Sequence, residues 1–300
     1  MNILVTGANG QLGMELRRAA KGSSDRYLFS DISEMSGVET ICLDVTNKPA
    51  VELIANSENI DVFVNCAAFT NVDKAEDDIV LADMLNHTAA QILSEVALKR
   101  GSTLIHVSTD YVFSGRQYSS PFKETDLPEP CNVYGSTKLA GEGAIINSGC
   151  NYIIIRTAWL YSKYGRNFVK TILSMLRGTK DCRVVFDSVG TPTFAADLAD
   201  SIVKIIESGD MAQKSVYHFS DEGVASWYDF AQAIREIALK KGILTQAAKV
   251  VPIVNSEYPT KARRPSFTVL DKSLIKKTFA LDIPYWRDSL EKMLSDYENN

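Results

Sequence analysis

Apolar and polar positions follow two rhythms in the first half of the chain. Short runs rich in branched residues lie at Asn2 to Thr6, Tyr27 to Ser30, Thr40 to Leu43, Val62 to Cys66, Thr103 to Ser108 and Tyr152 to Thr157. Between several of them apolar residues recur every three or four positions, which predicts helices over Gln11 to Ala20, Lys48 to Asn56, Ile79 to Lys99 and Asn132 to Asn147. Strands that alternate with helices need crossover connections. The predicted fold is therefore α/β, a doubly wound, mostly parallel sheet covered on both faces.

After Leu160 the rhythm breaks. The pattern predicts helices over Asn167 to Leu176 and Ala195 to Glu207, a strand at Arg183 to Phe186, and a run at Val216 to Phe219 that returns to the sheet edge. A helix near Trp227 to Lys240, a loop from Tyr258 to Pro265 and a terminal amphipathic helix complete the chain. Residues 1–162, completed by about 191–221, are expected to form a dinucleotide-binding domain of Rossmann type. Residues 163–190 and 222–300 are expected to form a smaller substrate-binding lobe over the carboxyl ends of the strands, where open parallel sheets bind ligands. No repeat or low-complexity linker separates these parts, so they are expected to pack tightly.

Composition narrows the partners. The 300 residues suffice to bury a sizeable core, and 37 acidic against 32 basic side chains, with no basic block, argue against nucleic acid. The cysteines at 42, 66, 131, 150 and 182 show no CxxC spacing and read as reduced, mostly structural thiols. No apolar run approaches membrane-spanning length and no basic leader precedes one, which leads to the expectation of a soluble, cytoplasmic protein without a membrane partner.

The candidate chemistry gathers at loops that follow strands. Gly7, Gly10 and Gly13 close the first strand and open the first helix, with Gln11 and Leu12 between them. Glycines at that spacing permit a sharp turn, backbone approach to a pyrophosphate and close packing of helix on strand, with the phosphates at a helix amino terminus. Asp31 ends the second strand, where an acid can accept hydrogen bonds from adenosine ribose hydroxyls or cap the next turn. No cation follows it closely, so by charge NADH should be tolerated at least as well as NADPH. Asp44 and Val45 end the third strand, placed either to flank an adenine or simply to start a helix. Tyr134 and Lys138, four apart on a predicted helix, share one face. A phenol titrates near about 10 when free, and a neighbouring ammonium favours the phenolate, so such a pair can move a proton to or from a substrate oxygen.

The glycine spacing, Asn65-Cys66-Ala67-Ala68, Ser108-Thr109-Asp110-Tyr111-Val112-Phe113 and Tyr134-Gly135-Ser136-Thr137-Lys138 together resemble the extended short-chain dehydrogenase/reductase superfamily. The segments Phe69 to Glu76, Asn132 to Gly135, Lys138 to Glu142, Arg156 to Tyr161 and Arg264-Pro265 resemble, more narrowly, its dTDP-4-dehydrorhamnose reductase family. That resemblance implies hydride transfer from NADPH or NADH to the C4 carbonyl of a nucleotide-linked 4-keto-6-deoxy sugar. It makes Tyr134 the proton donor, Lys138 the holder of the nicotinamide ribose that lowers the tyrosine pKa, and Thr109 the group that orients the carbonyl oxygen. It places Thr109, Asp110 and Trp159 against the sugar, with Val72 in the loop over it. Gly10, Gln11, Leu12, Asp31, Asp44, Val45, Ala67, Ala68, Phe69 and Thr70 fall on cofactor contacts. Singly, Trp159 also reads as core, Thr109 as satisfying its own turn and Asp110 as a cap. Arg264 is placed either to meet the nucleotide-sugar diphosphate or to form a surface salt bridge.

Some members of the family are described as dimerising through carboxylates that share a divalent metal. Glu15 falls on one such position, but Ala196 falls on another, with Asp197 rotated by about 100° along the helix. No metal is therefore expected. A homodimer is the assembly expected on general grounds, with no stretch marking its interface. Two alternatives share the superfamily's fold: a regulatory subunit of methionine adenosyltransferase type, and another nucleotide-sugar reductase or epimerase.

Overall fold

The computed structural model describes residues 1–114 and 120–297. Its first half holds strands β1 (Asn2–Thr6), β2 (Arg26–Asp31), β3 (Ile41–Cys42), β4 (Val62–Asn65), β5 (Thr103–Thr109) and β6 (Asn151–Thr157). Among them lie helices α1 (Gln11–Ala19), α2 (Lys48–Ser57), α3 (Val72–Ala75), α4 (Ile79–Asp83), α5 (Ala89–Arg100) and α6 (Val133–Ser148). The second half contributes β7 (Leu160–Tyr161), α7 (Phe168–Leu176), β8 (Cys182–Val185), β9 (Val189–Gly190), β10 (Thr193–Phe194), α8 (Ala195–Glu207) and β11 (Lys214–Phe219). It ends with β12 (Ala225–Ser226), α9 (Trp227–Lys240), β13 (Val250–Ile253), α10 (Ser273–Phe279) and α11 (Trp286–Tyr297). Among the described residues no helix is long and apolar enough to cross a membrane.

The central sheet has the order β11-β6-β5-β4-β1-β2-β3, and all its pairings are parallel. The direction of winding reverses between β1 and β4, which leaves a crevice beyond their carboxyl ends. Both faces are covered, as the apolar strand runs require. Ile3 and Val5 point to the layer holding Leu12 and Leu16 of α1 with Leu198 and Ile202 of α8. Leu4, Phe63, Leu104 and Ile154 point the other way, onto Val51 of α2 and Leu93 and Val96 of α5. Each such side chain, fully buried, contributes about 1.5–3 kcal/mol. A separate core packs α7, α9 and α11 around the parallel pair of β8 and β13.

The predicted helix over Ile79 to Lys99 is interrupted: α4 runs through a π turn, Met84–Thr88, before α5 begins. Asn86, buried in that turn, explains the interruption. Its Oδ1 accepts the Phe69 N–H (2.8 Å), while Nδ2 donates to the Phe69 carbonyl (3.2 Å) and to Thr137 Oγ1 (3.1 Å). The wider turn swings one amide between the loop after β4 and helix α6, which a period of three to four residues cannot reveal.

Candidate active site

The carboxyl ends of β1, β2, β4, β5 and β6 open on one cleft of about 700 Å³. Gly7 lies at its floor with φ +65°, and a Cβ there would meet the Ala67 backbone nitrogen at 2.6 Å, so only glycine lets the first turn pass β4 this closely. Gly10, exposed at the cleft, leads into α1, where a Cβ would press on the Gly7 carbonyl oxygen at 3.2 Å, and the free N–H groups of the first helical turn lie at the cleft. Gly13 is buried against Ala8 and forms no part of the wall. A loop closed to side chains, followed by an open helix start, fits a dinucleotide pyrophosphate.

Asp31, Asp44, Val45, Ala67, Ala68 and Thr70 line the same cleft as Gln11 and Leu12. Asp31 also serves its own loop: Oδ2 accepts the Asn9 N–H (3.1 Å) and Oδ1 accepts from the Ser33 N–H and hydroxyl (3.1 and 2.9 Å). Asp44 Oδ1 likewise accepts from the Thr46 N–H and hydroxyl (2.8 and 2.7 Å). Phe69 is absent from the wall. Its ring is buried beside Ala75, Ala82 and Tyr134, so it supports the site from behind.

Tyr134, Lys138, Thr109, Asp110, Val72, Trp159 and Arg264 line the cleft too. Asn132 caps α6 by accepting the Gly135 N–H (2.8 Å), which fixes the first turn, where Tyr134 sits. A Cβ at Gly135 would lie 2.2 Å from the Tyr111 carbonyl oxygen, so glycine brings α6 against the loop after β5. The Thr109 hydroxyl lies beside the Tyr134 phenol and acts to lower it. Thr109 Oγ1 also accepts the Tyr111 N–H (3.2 Å) and donates to Asp110 Oδ1 (3.1 Å).

Burial decides the electrostatics here. The phenol of Tyr134 is pushed up to about 12 by desolvation, against the opposing pull of the Thr109 hydrogen bond. The sequence expectation was a tyrosine lowered by Lys138. In this arrangement Lys138 Nζ instead meets His106 Nε2 (3.1 Å) and donates to the Val107 carbonyl (2.7 Å), and its own burial lowers it to about 8. Asp110, also buried, is raised to about 6.

Several members of the site lay outside the sequence reading. Trp227 stacks on Trp159, and both line the cleft. Tyr111 meets Tyr134 edge-on at 5.6 Å. Asp73 accepts from Arg264 Nη2 (2.9 Å), while Arg264 Nε, buried at the cleft wall, has no hydrogen-bond partner among the described residues. Asp73 and Tyr111, each within a matched segment, were within reach of sequence reasoning. Trp227 is set by its contact with Trp159, far away in the chain.

The family model described as RmlD substrate binding domain matches residues 1–299. A dTDP-4-dehydrorhamnose reductase of Aggregatibacter actinomycetemcomitans is 38% identical, over 97% of this chain and 97% of its own length. A solved dTDP-4-dehydrorhamnose reductase from Clostridium acetobutylicum superposes with a TM-score of 0.89 at 35% identity, covering 99% of this chain and 100% of that one. Another, from Bacillus anthracis in complex with NADP, gives 0.86 at 31% identity, covering 98% of this chain and 99% of that one.

Proposed function

The chain belongs to the dTDP-4-dehydrorhamnose reductase family, an NAD(P)-dependent oxidoreductase family, and we propose that it reduces the C4 keto group of dTDP-4-dehydro-L-rhamnose to dTDP-L-rhamnose with Tyr134 as proton donor. The observation that carries this reading is the convergence of Tyr134, Thr109 and Lys138 on the same cleft as the glycine turn at Gly7 and Gly10. The bound dinucleotide, NADPH or NADH, supplies the hydride. Gly7, Gly10, Gln11 and Leu12 hold its pyrophosphate end, and Asp31, Asp44, Val45, Ala67, Ala68 and Thr70 its adenosine half and the span between.

The chain's own residues handle the oxygen. A phenol at about 12 is fully protonated at neutral pH and is therefore an acid in waiting. A developing C4 alkoxide is more basic than that phenol, so the proton moves from Tyr134 to the substrate oxygen as charge builds. Thr109, beside Tyr134, turns its one hydroxyl proton from Asp110 Oδ1 to the phenolate left behind, and its oxygen lies where it orients the carbonyl before transfer. Trp159 walls the sugar, Val72 and Asp110 lie beside it, and Arg264 Nε offers a donor to the diphosphate. Residues 1–162 with 191–221 serve as the dinucleotide half, and 163–190 with 222–300 as the substrate half.

The test is oxidation of NADPH, and separately NADH, by purified protein given freshly generated dTDP-4-dehydro-L-rhamnose, with Tyr134→Phe beside the wild type. Formation of dTDP-L-rhamnose that drops by about 10²–10⁴-fold in the variant is the expected result. Cofactor binding without turnover of this sugar would overturn the substrate assignment.

A further inference from the structure

A buried chain of polar groups crosses the sheet behind the cleft: Thr6, Asn65, His106 and Lys138, none more than 1% exposed. The orientation of the Asn65 amide is settled by its neighbours. Its Oδ1 accepts the Ala67 N–H (3.1 Å) and the Thr6 hydroxyl (2.7 Å), and a backbone N–H can only donate. Nδ2 must then face His106 Nδ1, at 3.0 Å, and donate to it. Nδ1 is an acceptor, so the imidazole is neutral and its one proton sits on Nε2. That proton points at Lys138 Nζ, 3.1 Å away. An ammonium has no lone pair to receive it.

We propose that His106, oriented by Asn65, is a positioning residue that holds Lys138 as a neutral amine, and that Lys138 takes up a proton when it leaves His106 to hold the nicotinamide ribose hydroxyls. This rests on the dinucleotide reading of the cleft given above. Lys138 can accept from His106 and still donate to the Val107 carbonyl (2.7 Å) only as the amine.

The other groups facing the pair agree with this assignment. From the loop after β4 comes the Cys66 thiol, which burial keeps neutral by raising it to about 12. From α6 comes Glu142, which favours the ammonium but is itself ion-paired with Arg156. Burial pushes His106 well below its ordinary value, as the neutral tautomer requires. The low surroundings that bring Lys138 to about 8 make the amine accessible in mildly alkaline solution.

Calorimetry of NADH binding at pH 9, in two buffers of different ionisation enthalpy, reads the proton directly; NADH lacks a 2′-phosphate that would add its own titration. The wild type is expected to take up close to one proton per NADH bound. Asn65→Asp keeps an oxygen toward Ala67 but turns the other position from donor to acceptor. That change moves the imidazole proton to Nδ1 and lets Nε2 accept from an ammonium. Uptake should fall close to zero in this variant. Histidine ¹⁵N spectra of the unmodified protein give an independent reading: His106 should show a bare Nδ1 and a protonated Nε2. Binding of NADH without proton uptake by the wild type, equal uptake in Asn65→Asp, or a protonated Nδ1 would overturn the proposal while leaving the cofactor site intact. Failure to bind NADH or NADPH at all would overturn the reading of the cleft as well.

Discussion

Trp159 lies flat against Trp227, with ring centroids 3.5 Å apart and planes 10° from parallel, while its own backbone holds a left-handed φ of 47°. A bulky residue in that conformation costs roughly 1–2 kcal/mol. The stack, with Phe168 closing on Trp227 at 4.5 Å, is what holds it there. Trp159→Gly should therefore be more stable than Trp159→Ala by about 1 kcal/mol, since glycine adopts the turn without strain. Urea unfolding of the two variants measures it, and an alanine variant at least as stable as the glycine one would show that the backbone is not strained. Trp227→Ala, which removes the second ring, should raise KM for the nucleotide sugar by about 2–10-fold, the range expected for one aromatic pair.

Glu142 and Arg156 form an ion pair with side chains 1% and 4% exposed, joined at 2.7 Å between Nη2 and Oε2. Ser108 donates to the same carboxylate at 2.5 Å, which ties the strand carrying Thr109 to the helix carrying Tyr134 and Lys138. Arg156→Met strands a buried charge and should cost about 3–5 kcal/mol of stability. Adding Glu142→Leu to it should recover much of that loss, because the cost lies in the unpaired charge rather than in the absence of the pair. Chemical denaturation of both proteins decides this. A double variant no more stable than the single one would mean that the pair itself supplies the stability.

The seven strands of the central sheet, β8 and most helices were legible because each buries an apolar face whose period is written into neighbouring residues: β1 reads as Ile3 and Val5 against Leu4, and α1 as Leu12 and Leu16; the short β7, β9, β10, β12 and β13 were not. The glycine turn and the Tyr134–Lys138 pair were legible for the same reason, being short-range patterns. What escaped were relationships between distant segments. The π turn depends on Asn86 reaching Phe69 and Thr137, and the pairing of Trp159 with Trp227 depends on the packing of α9. The direction of the Tyr134 shift also escaped. The sequence shows a cation four residues away but neither the desolvation that outweighs it nor the histidine that engages the cation.

Arg264 forms the salt bridge that is one of the two roles open to it from sequence: Nη2 donates to Asp73 Oδ2 at 2.9 Å, while Nε is a buried donor without a partner among the described residues. Charge-assisted hydrogen bonds of this kind are worth about 1.5–3 kcal/mol, so Arg264→Gln should raise KM for the nucleotide sugar by about 10–100-fold with kcat little changed. The same loop is tied to α6 by the Arg263 carbonyl, which accepts from Asn132 Nδ2 at 2.8 Å. Asp73→Asn serves as a comparison that loosens the loop without removing the cation. A KM in Arg264→Gln that matches the wild type would confine the residue to its salt bridge.

Asp110 sets a pH dependence whose sign follows from its burial. The carboxyl ionises near 3.8 ordinarily and near about 6 in the folded protein, where it is buried. Desolvation of the charged form outweighs the hydrogen bonds from Thr268, Thr109 and the backbone. A raised carboxyl binds its proton more tightly folded than unfolded, so unfolding at mildly acidic pH releases a proton. The stabilisation is complete below about pH 4 and is lost as pH rises through about 6, a change of about 3 kcal/mol for a shift of this size. Asp110→Asn cannot ionise and should lack this loss. The difference in unfolding free energy, variant minus wild type, should therefore grow by up to about 3 kcal/mol between pH 4 and pH 7, whatever constant offset the amide introduces. Because every other titrating group is shared, urea titrations across that range isolate Asp110. A difference that stays level, or falls with rising pH, would mean that the hydrogen bonds to the carboxylate win over its burial. The same replacement tests the place of this carboxyl beside the sugar, since a variant more stable at neutral pH but slower with the nucleotide sugar is the outcome expected where a site holds a costly charge for function.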